Sequence, residues 1–253
     1  MDSRAFVMPE EAPAGWAAML VQAAANLNVD ITDDALTKLA TYASLLRRRA
    51  SYEGLMSERA VNELDRHLLD SIAICRAVPV DGPSLRAVDV GSGAGLPGVV
   101  IAILRPRLSF TLLDAGQRRI RFLHDVAADV AGLTIEPVQM RAEIAGQGAL
   151  RETFDLAVAR ALAPMPTLVE LVLPLVSVGG ELLAHKTRRA KGEIASAAYV
   201  IEVCGGSPAQ INPYSLPDID VERLIVTVRK RSSTPAIYPR RDGVPKRRPL
   251  LFS

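Results

Sequence analysis

The spacing of apolar residues changes character near residue 85. Before that point apolar positions recur every three to four residues, the period of an amphipathic helix. Three helical stretches are expected: "WAAMLVQAAANLNV" (16–29), "TDDALTKLATYASLLRRR" (32–49) and "SERAVNELDRHLLDSIAICRAV" (57–78). Thr32 with Asp33, and Ser57, are the residue types that cap helix N-termini. Beyond residue 85 short aliphatic runs alternate with helical stretches. The runs are "LRAVDV" (85–90), "SFTLLDA" (109–115), "LTIEPVQM" (133–140), "FDLAVARA" (154–161) and "GELLAHK" (180–186). Continuous apolar strands separated by helices predict a parallel sheet covered on both faces, a doubly wound Rossmann-like α/β fold. Two later runs, "AAYVIEVCG" (197–205) and "ERLIVTVRK" (222–230), read as a hairpin that closes one edge with an antiparallel strand. The expected organisation is a disordered segment over 1–14, a helical cap over 15–80 and an α/β domain with a basic tail over 81–253.

Composition narrows the class. A chain of 253 residues, 49% hydrophobic and 23% charged, can bury a sizeable core. No apolar run reaches the roughly 18 residues of a membrane helix, and the N-terminus has no apolar signal region. The two cysteines, Cys75 and Cys204, are far apart and read as buried thiols rather than a disulfide or a metal site. A cytoplasmic location is expected. The net charge of +2 is unevenly placed, because residues 229–248 hold eight basic residues and one acid. Such a segment is either a solubilising tail or a docking surface for a polyanion.

The candidate chemistry lies in "VDVGSGAGLPG" (88–98). Gly91, Gly93 and Gly95 form a GxGxG, and Gly93, Gly95 and Gly98 a GxGxxG, at a strand–helix turn. Glycines there let the backbone take positive φ and approach a ligand closely. A dinucleotide would set its pyrophosphate on the helix N-terminus. S-adenosylmethionine has no phosphate but carries an ammonium and a sulfonium, which favour an acid beside the loop, and Asp89 stands two residues before Gly91. Asp89 could alternatively cap backbone. Asp114 ends the next strand, about 20 residues on, where an acid receives ribose hydroxyls with either cofactor. Together with the expected hairpin, Asp89 favours S-adenosylmethionine, with S-adenosylhomocysteine as product, over NAD. The segment "VARALAPMP" (158–166) replaces the Asn/Asp-Pro-Pro-Tyr of exocyclic-amine methylases, and neither cysteine lies where a base-carbon methylase needs its nucleophile. Guanine N7 is a target that requires neither device, since it offers an in-plane lone pair and no proton to remove.

The motifs "RHLLDSI" (66–72), "VDVGSGAGLPG" (88–98), "TLLDA" (111–115), "QMRAE" (139–143), "VARALAP" (158–164), "LLAHK" (182–186) and "YPRRDGVPKRRPL" (238–250) resemble, in order and spacing, the small-subunit ribosomal RNA methyltransferase G family. That family is also called glucose-inhibited division protein B, and the resemblance covers about residues 35–250. It implies a class I methyltransferase fold and methyl transfer from S-adenosylmethionine to N7 of a guanine in the decoding-region loop of 16S ribosomal RNA, linked to streptomycin susceptibility. By motif it makes Gly91 and Leu96 cofactor contacts, sets Ala142 and Glu143 beside the adenine, gives Asp114 the ribose, and turns Arg160 toward the methionine end and the target base as the catalytic residue. His67, Asp70 and Ser71 read as a site-lining group. The stretch "SLLRRRASYEGLMSE" (44–58) departs from the family's Trp-Asn…Asn-Leu-Thr pattern.

For RNA the expected contacts are Lys186, Arg240, Arg241, Lys246, Arg247 and Arg248, with prolines holding the tail extended. Aromatic residues are only 4% of the chain, so recognition should rest on the shape of the small ribosomal subunit rather than on base stacking. Neither metal nor membrane is expected as a partner, and the chain is expected to act as a monomer. The rival readings are an NAD-dependent oxidoreductase, a non-catalytic RNA-binding assembly factor and a methyltransferase of a small molecule.

Overall fold

The computed structural model describes residues 15–251, with 79, 217 and 218 excepted. The segment expected to be disordered, 1–14, lies outside the described residues. The chain opens with helices α1 (Trp16–Asn26), α2 (Asp33–Arg49), α3 (Glu58–Asn62) and α4 (Leu64–Ile74). Thr32 Oγ1 accepts the Ala35 amide at 3.2 Å and Ser57 Oγ the Ala60 amide at 3.2 Å, so both expected caps form. Helix α2 has Asp33 and Asp34 in its first turn and Arg47, Arg48 and Arg49 in its last, matching the helix dipole. Its Leu36, Leu39, Ala43 and Leu46 are buried at helical spacing.

The alternating region follows: β1 (Leu85–Val90), α5 (Gly98–Leu104), β2 (Leu108–Asp114), α6 (Gln117–Asp129), β3 (Ile135–Gln139), α7 (Ala142–Gln147), β4 (Phe154–Arg160), α8 (Met165–Val172) and β5 (Val176–Thr187). Helices α9 (Lys191–Ser196) and α10 (Ala198–Val203), strands β6 (Gln210–Leu216) and β7 (Ile219–Arg229), and the short α11 (Val244–Arg247) complete it. The sheet runs β3-β2-β1-β4-β5-β7-β6. β7 is antiparallel to both neighbours, and the pairs from β3 through β5 are parallel. Strand order reverses at β1, which lies between β2 and β4, so a crevice opens at the carboxyl ends of these strands.

Side chains alternate across this sheet. Leu156 and Val158 of β4 join the N-terminal helices, α5 and α6 in one continuous apolar cluster. Ala157 and Ala159 face α8 and α10 in a second. The N-terminal helices therefore cover α5 and one sheet face through a shared core.

The strand expected over 197–205 is helix α10 instead. Ala197, Val200, Ile201 and Cys204 are buried, and their spacing is the period of a helix face. The β-branched composition of the run suggested a strand that its periodicity contradicts. The hairpin partner of β7 is β6, "QINPYSL", whose Pro213 and polar residues suit an edge.

Arg105, at the end of α5, is 7% exposed and ties α5 to the turn that follows α4. Its guanidinium donates to the carbonyls of Val78 at 3.2 Å, Cys75 at 2.9 Å and Leu104 at 2.9 Å. Arg105→Met keeps the apolar stem and removes three hydrogen bonds from a buried setting. The expected loss, read by urea denaturation, is about 2–4 kcal/mol.

Candidate active site

The crevice is built from the backbone up. Gly91, Gly93 and Gly95 have φ of 73°, 58° and 101°, all left-handed. At Gly95 any side chain is excluded, because a Cβ would lie 2.6 Å from Val99 Cγ2 and 2.9 Å from the Tyr42 hydroxyl. That hydroxyl donates to the Ala94 carbonyl at 2.8 Å, so the helical layer holds the glycine loop from below. The Gly91 and Ser92 amides donate to the Leu113 carbonyl at 2.8 and 3.2 Å and bind the loop to the end of β2.

Two acids complete the turn. Asp114 Oδ2 accepts the Gly93 amide at 3.0 Å, and its Oδ1 accepts the Gly116 amide at 2.8 Å. Arg119 stands 3.2 Å from the same carboxylate. Asp89 is fully buried below the loop, and its Oδ2 accepts the Gly98 amide, the first of α5, at 2.8 Å. Its other oxygen has no hydrogen-bond partner. Burial pushes the Asp89 carboxyl up to about 7, although the Gly98 amide and Arg160 favour the charged form.

Two cavities flank the turn that follows β4. Ala161, with φ of 55°, bends the chain so that Leu162 and Ala163 face one cavity while Arg160 and Ala161 face the other. The first cavity, about 310 Å³, is lined by Gly91, Asp114, Ala142, Glu143, Leu162 and Lys246 among others. The second, about 560 Å³, is lined by His67, Asp70, Arg160, His185, Lys186 and Glu193 among others.

The expected site residues fall into three groups. Gly91, Asp114, Ala142 and Glu143 come together around the first cavity. Asp89 and Leu96 are buried beneath the loop rather than lining that cavity, and Gly93 and Gly95 shape the loop. Arg160 sits at the second cavity, where its Nη1 donates to the His67 carbonyl at 3.2 Å. Lys186 shares that cavity but is turned inward, its Nζ 2.8 Å from the Ala163 carbonyl and 3.0 Å from Glu193.

The tail is not extended. Arg240 forms a forked pair with Glu170, Nε to Oε1 at 2.8 Å and Nη2 to Oε2 at 2.7 Å, and Glu170 is fully buried. Arg241, Lys246, Arg247 and Arg248 are exposed. The reason is local: Arg151 donates to the carbonyls of Gly146 and Tyr238, both at 2.7 Å, and draws the tail onto α7.

Behind Arg160 lies a buried polar cluster. Arg223 Nε contacts Asp70, and the Tyr214 hydroxyl donates to Asp70 Oδ1 at 3.2 Å. His185 Nε2 is 2.7 Å from the Tyr214 oxygen. Burial, with Arg160 and Arg223 acting in the same direction, holds the His185 imidazole down to about 3. Burial and Arg160 hold His67 down to about 4. Both imidazoles are neutral near pH 7, and Asp70 provides the negative charge facing Arg160. Sequence reasoning singled out His67 and Asp70 but missed Tyr214, His185, Arg223 and Glu170. The available signal was a charged residue inside an apolar run, Arg223 in "ERLIVTVRK" and Glu170 in "MPTLVELVLPLV". Among the described residues no group of three or more His, Cys, Asp and Glu side chains could hold a metal ion, and no helix is long and apolar enough to cross a membrane.

A family model described as rRNA small subunit methyltransferase G matches residues 35–221. The ribosomal RNA small subunit methyltransferase G of Moorella thermoacetica is 40% identical over 186 residues, 73% of this chain and 77% of that protein. The protein of the same name from Deinococcus radiodurans is 34% identical over 237 residues, 92% of each chain. Among solved structures, magnesium protoporphyrin IX methyltransferase from Synechocystis PCC 6803 aligns with a TM-score of 0.54 at 14% identity, over 75% of this chain and 97% of that one. A predicted O-methyltransferase from Agrobacterium tumefaciens aligns with a TM-score of 0.51 at 22% identity, over 66% and 81%. These two likenesses concern the fold.

The buried Asp89 has a pH consequence. The folded state holds its proton more tightly than the unfolded chain does, so folding takes up a proton between about pH 4 and pH 7. The Asp89 contribution to stability therefore falls as pH rises through that window. Asp89→Asn keeps an acceptor for Gly98 and removes the titration. The variant should gain on the wild type by up to a few kcal/mol between pH 4.5 and pH 7.5, read as the difference between paired denaturation curves. A pH-independent difference would show that the carboxyl is ionised throughout.

Proposed function

The chain belongs to the rRNA small subunit methyltransferase G family, and on that premise we propose that it methylates N7 of a guanine in the decoding-region loop of 16S ribosomal RNA. It is an S-adenosylmethionine-dependent methyltransferase of small-subunit ribosomal RNA. The observation that carries the finer reading is the pair of cavities on either side of the Ala161–Ala163 turn, one for the cofactor and one for the base.

The residues of the first cavity suit the cofactor. Asp114 offers carboxylate oxygen to a ribose diol, while Leu162, Leu171 and Ala142 offer apolar surface to a purine. A pyrophosphate is poorly served, since the first amide of α5 is already taken by a buried carboxyl group. This favours S-adenosylmethionine over NAD on chemical grounds. When bound, the cofactor supplies an electrophilic methyl group on a sulfonium.

The remaining work is positioning. Arg160, in the second cavity and two residues before Leu162 of the first, would reach the methionine carboxylate and border the base. Methylation at N7 removes no proton, and a cavity whose two histidines are neutral suits that requirement. Arg241, Lys246, Arg247 and Arg248 are the exposed cations left for phosphate contact, since Arg240 and Lys186 are engaged within the fold. A place in the cytoplasm and a modest effect on streptomycin susceptibility belong to the same proposal.

Labelled S-adenosylmethionine and small ribosomal subunits from a strain lacking this gene test the reading directly. Label should map to one guanine of the decoding-region loop, by cleavage at N7-methylguanine. No label, with the cofactor still bound, would reject the substrate and keep the cofactor. Arg160→Ala should lower turnover on the order of 100-fold in a folded protein, and near-normal turnover would remove its role. Replacing Arg241, Arg247 and Arg248 together by alanine should lessen the salt dependence of RNA binding by roughly two to three charges. An unchanged slope would take the tail away from the RNA.

A further inference from the structure

The basic C-terminal segment holds contacts that phosphate binding does not require. Gln147 Nε2 donates to the Ala236 carbonyl at 3.1 Å and the Pro239 carbonyl at 2.7 Å, at the end of the helix that bears Glu143. The Arg240 amide and Nε both donate to Glu170 Oε1, at 3.0 and 2.8 Å, while Nη2 reaches Oε2 at 2.7 Å and the Arg248 carbonyl at 2.6 Å. Three residues on, the Gly243 amide donates to Glu143 Oε1 at 3.0 Å, and Thr167 Oγ1 donates to the Pro245 carbonyl at 3.1 Å. Glu143, Gly243, Lys246 and Thr167 all line the first cavity.

We propose that residues 234–248 form a latched wall of the cofactor cavity, with the buried Glu170–Arg240 pair as the latch that holds the Gly243 amide against Glu143. The inference rests on the cofactor reading above and assigns the segment a second role beside its exposed cations. The charge chemistry supports a latch. Glu170 is fully buried and needs a partner, and Arg240 supplies a forked guanidinium and a backbone amide from a single residue. Fixing Arg240 leaves only two residues to Gly243, whose φ of 72° aims the following turn over the cavity. The wall thus orients the Glu143 carboxylate before any ligand enters, and preorganisation of this kind strengthens binding. Glu170 and Arg240 act as positioning residues, since neither lines the cavity.

The test measures S-adenosylhomocysteine affinity by calorimetry and amide hydrogen exchange of residues 234–248, both without RNA. Glu170→Leu with Arg240→Leu removes the latch and leaves no unpaired buried charge. The full-length double variant should bind S-adenosylhomocysteine tenfold or more weakly, with faster exchange confined to the segment and to α7. Arg240→Lys keeps a cation opposite Glu170 but loses the fork, and should weaken binding severalfold; it keeps the test readable if the double variant does not fold. Unchanged affinity in either folded variant alongside faster exchange of the segment would overturn the latch. A wild-type chain that does not bind S-adenosylhomocysteine would overturn the cofactor reading and this inference with it. Binding without methyl transfer to ribosomal subunits would reject the substrate alone.

Discussion

The Asp89 carboxyl group, buried where β1 ends, takes the first amide of α5 and so fixes how strand becomes helix in this molecule. Much of the site depends on that handover. The carboxyl group fills the space next to Gly98, where a Cβ would lie 2.7 Å from Asp89 Oδ2. The intervening residues form a loop with three left-handed glycines, and the loop reaches Asp114 at the end of β2. A burial that raises the carboxyl to about 7 is costly, and the return is a turn with one conformation and a helix N-terminus closed to phosphate.

Downstream, the fold separates two chemical environments by a single turn. On the side of Leu162 the cavity mixes apolar walls with Asp114 and Glu143, as a nucleoside requires. On the side of Arg160 the lining includes His67, Asp70, His185 and Lys186, and Asp70 and His185 are joined to Arg223 and Tyr214 behind them, so that the cluster draws on α4, β5, β6 and β7. A buried ionic cluster of this kind is a weak source of net stability and a strong source of geometric definition when every group is paired. It joins the N-terminal helices to the C-terminal hairpin, directly behind Arg160. None of these four side chains comes from the stretch 44–58.

Net charge along the tail concealed a division of labour. Arg240 and the exposed Arg241 are neighbours, yet one is directed onto a buried glutamate and the other into solvent. Placing both tasks on one short segment brings the cofactor wall and the candidate RNA surface into mechanical contact.

The sheet, its glycine loop and the two acids at its carboxyl edge were legible in the chain, because each is a local pattern: apolar runs of strand length, glycines where φ must be positive, acids at the ends of strands. The family followed from the same motifs in order. The run 197–205 was misread because composition outweighed period; the burial of Ala197, Val200, Ile201 and Cys204 on one side shows that the period was the better guide. What no local pattern could supply was pairing over long sequence distance. Tyr214 meets Asp70 across 144 residues, Gly243 meets Glu143 across 100, and Arg240 meets Glu170 across 70. The sequence by itself determined the parallel strands with their intervening helices, the loop and the cofactor class, because short-range sterics and hydrophobic period decide them. Only the tertiary structure decided which charges face inward, because the partner that makes a buried charge tolerable is brought to it by the fold.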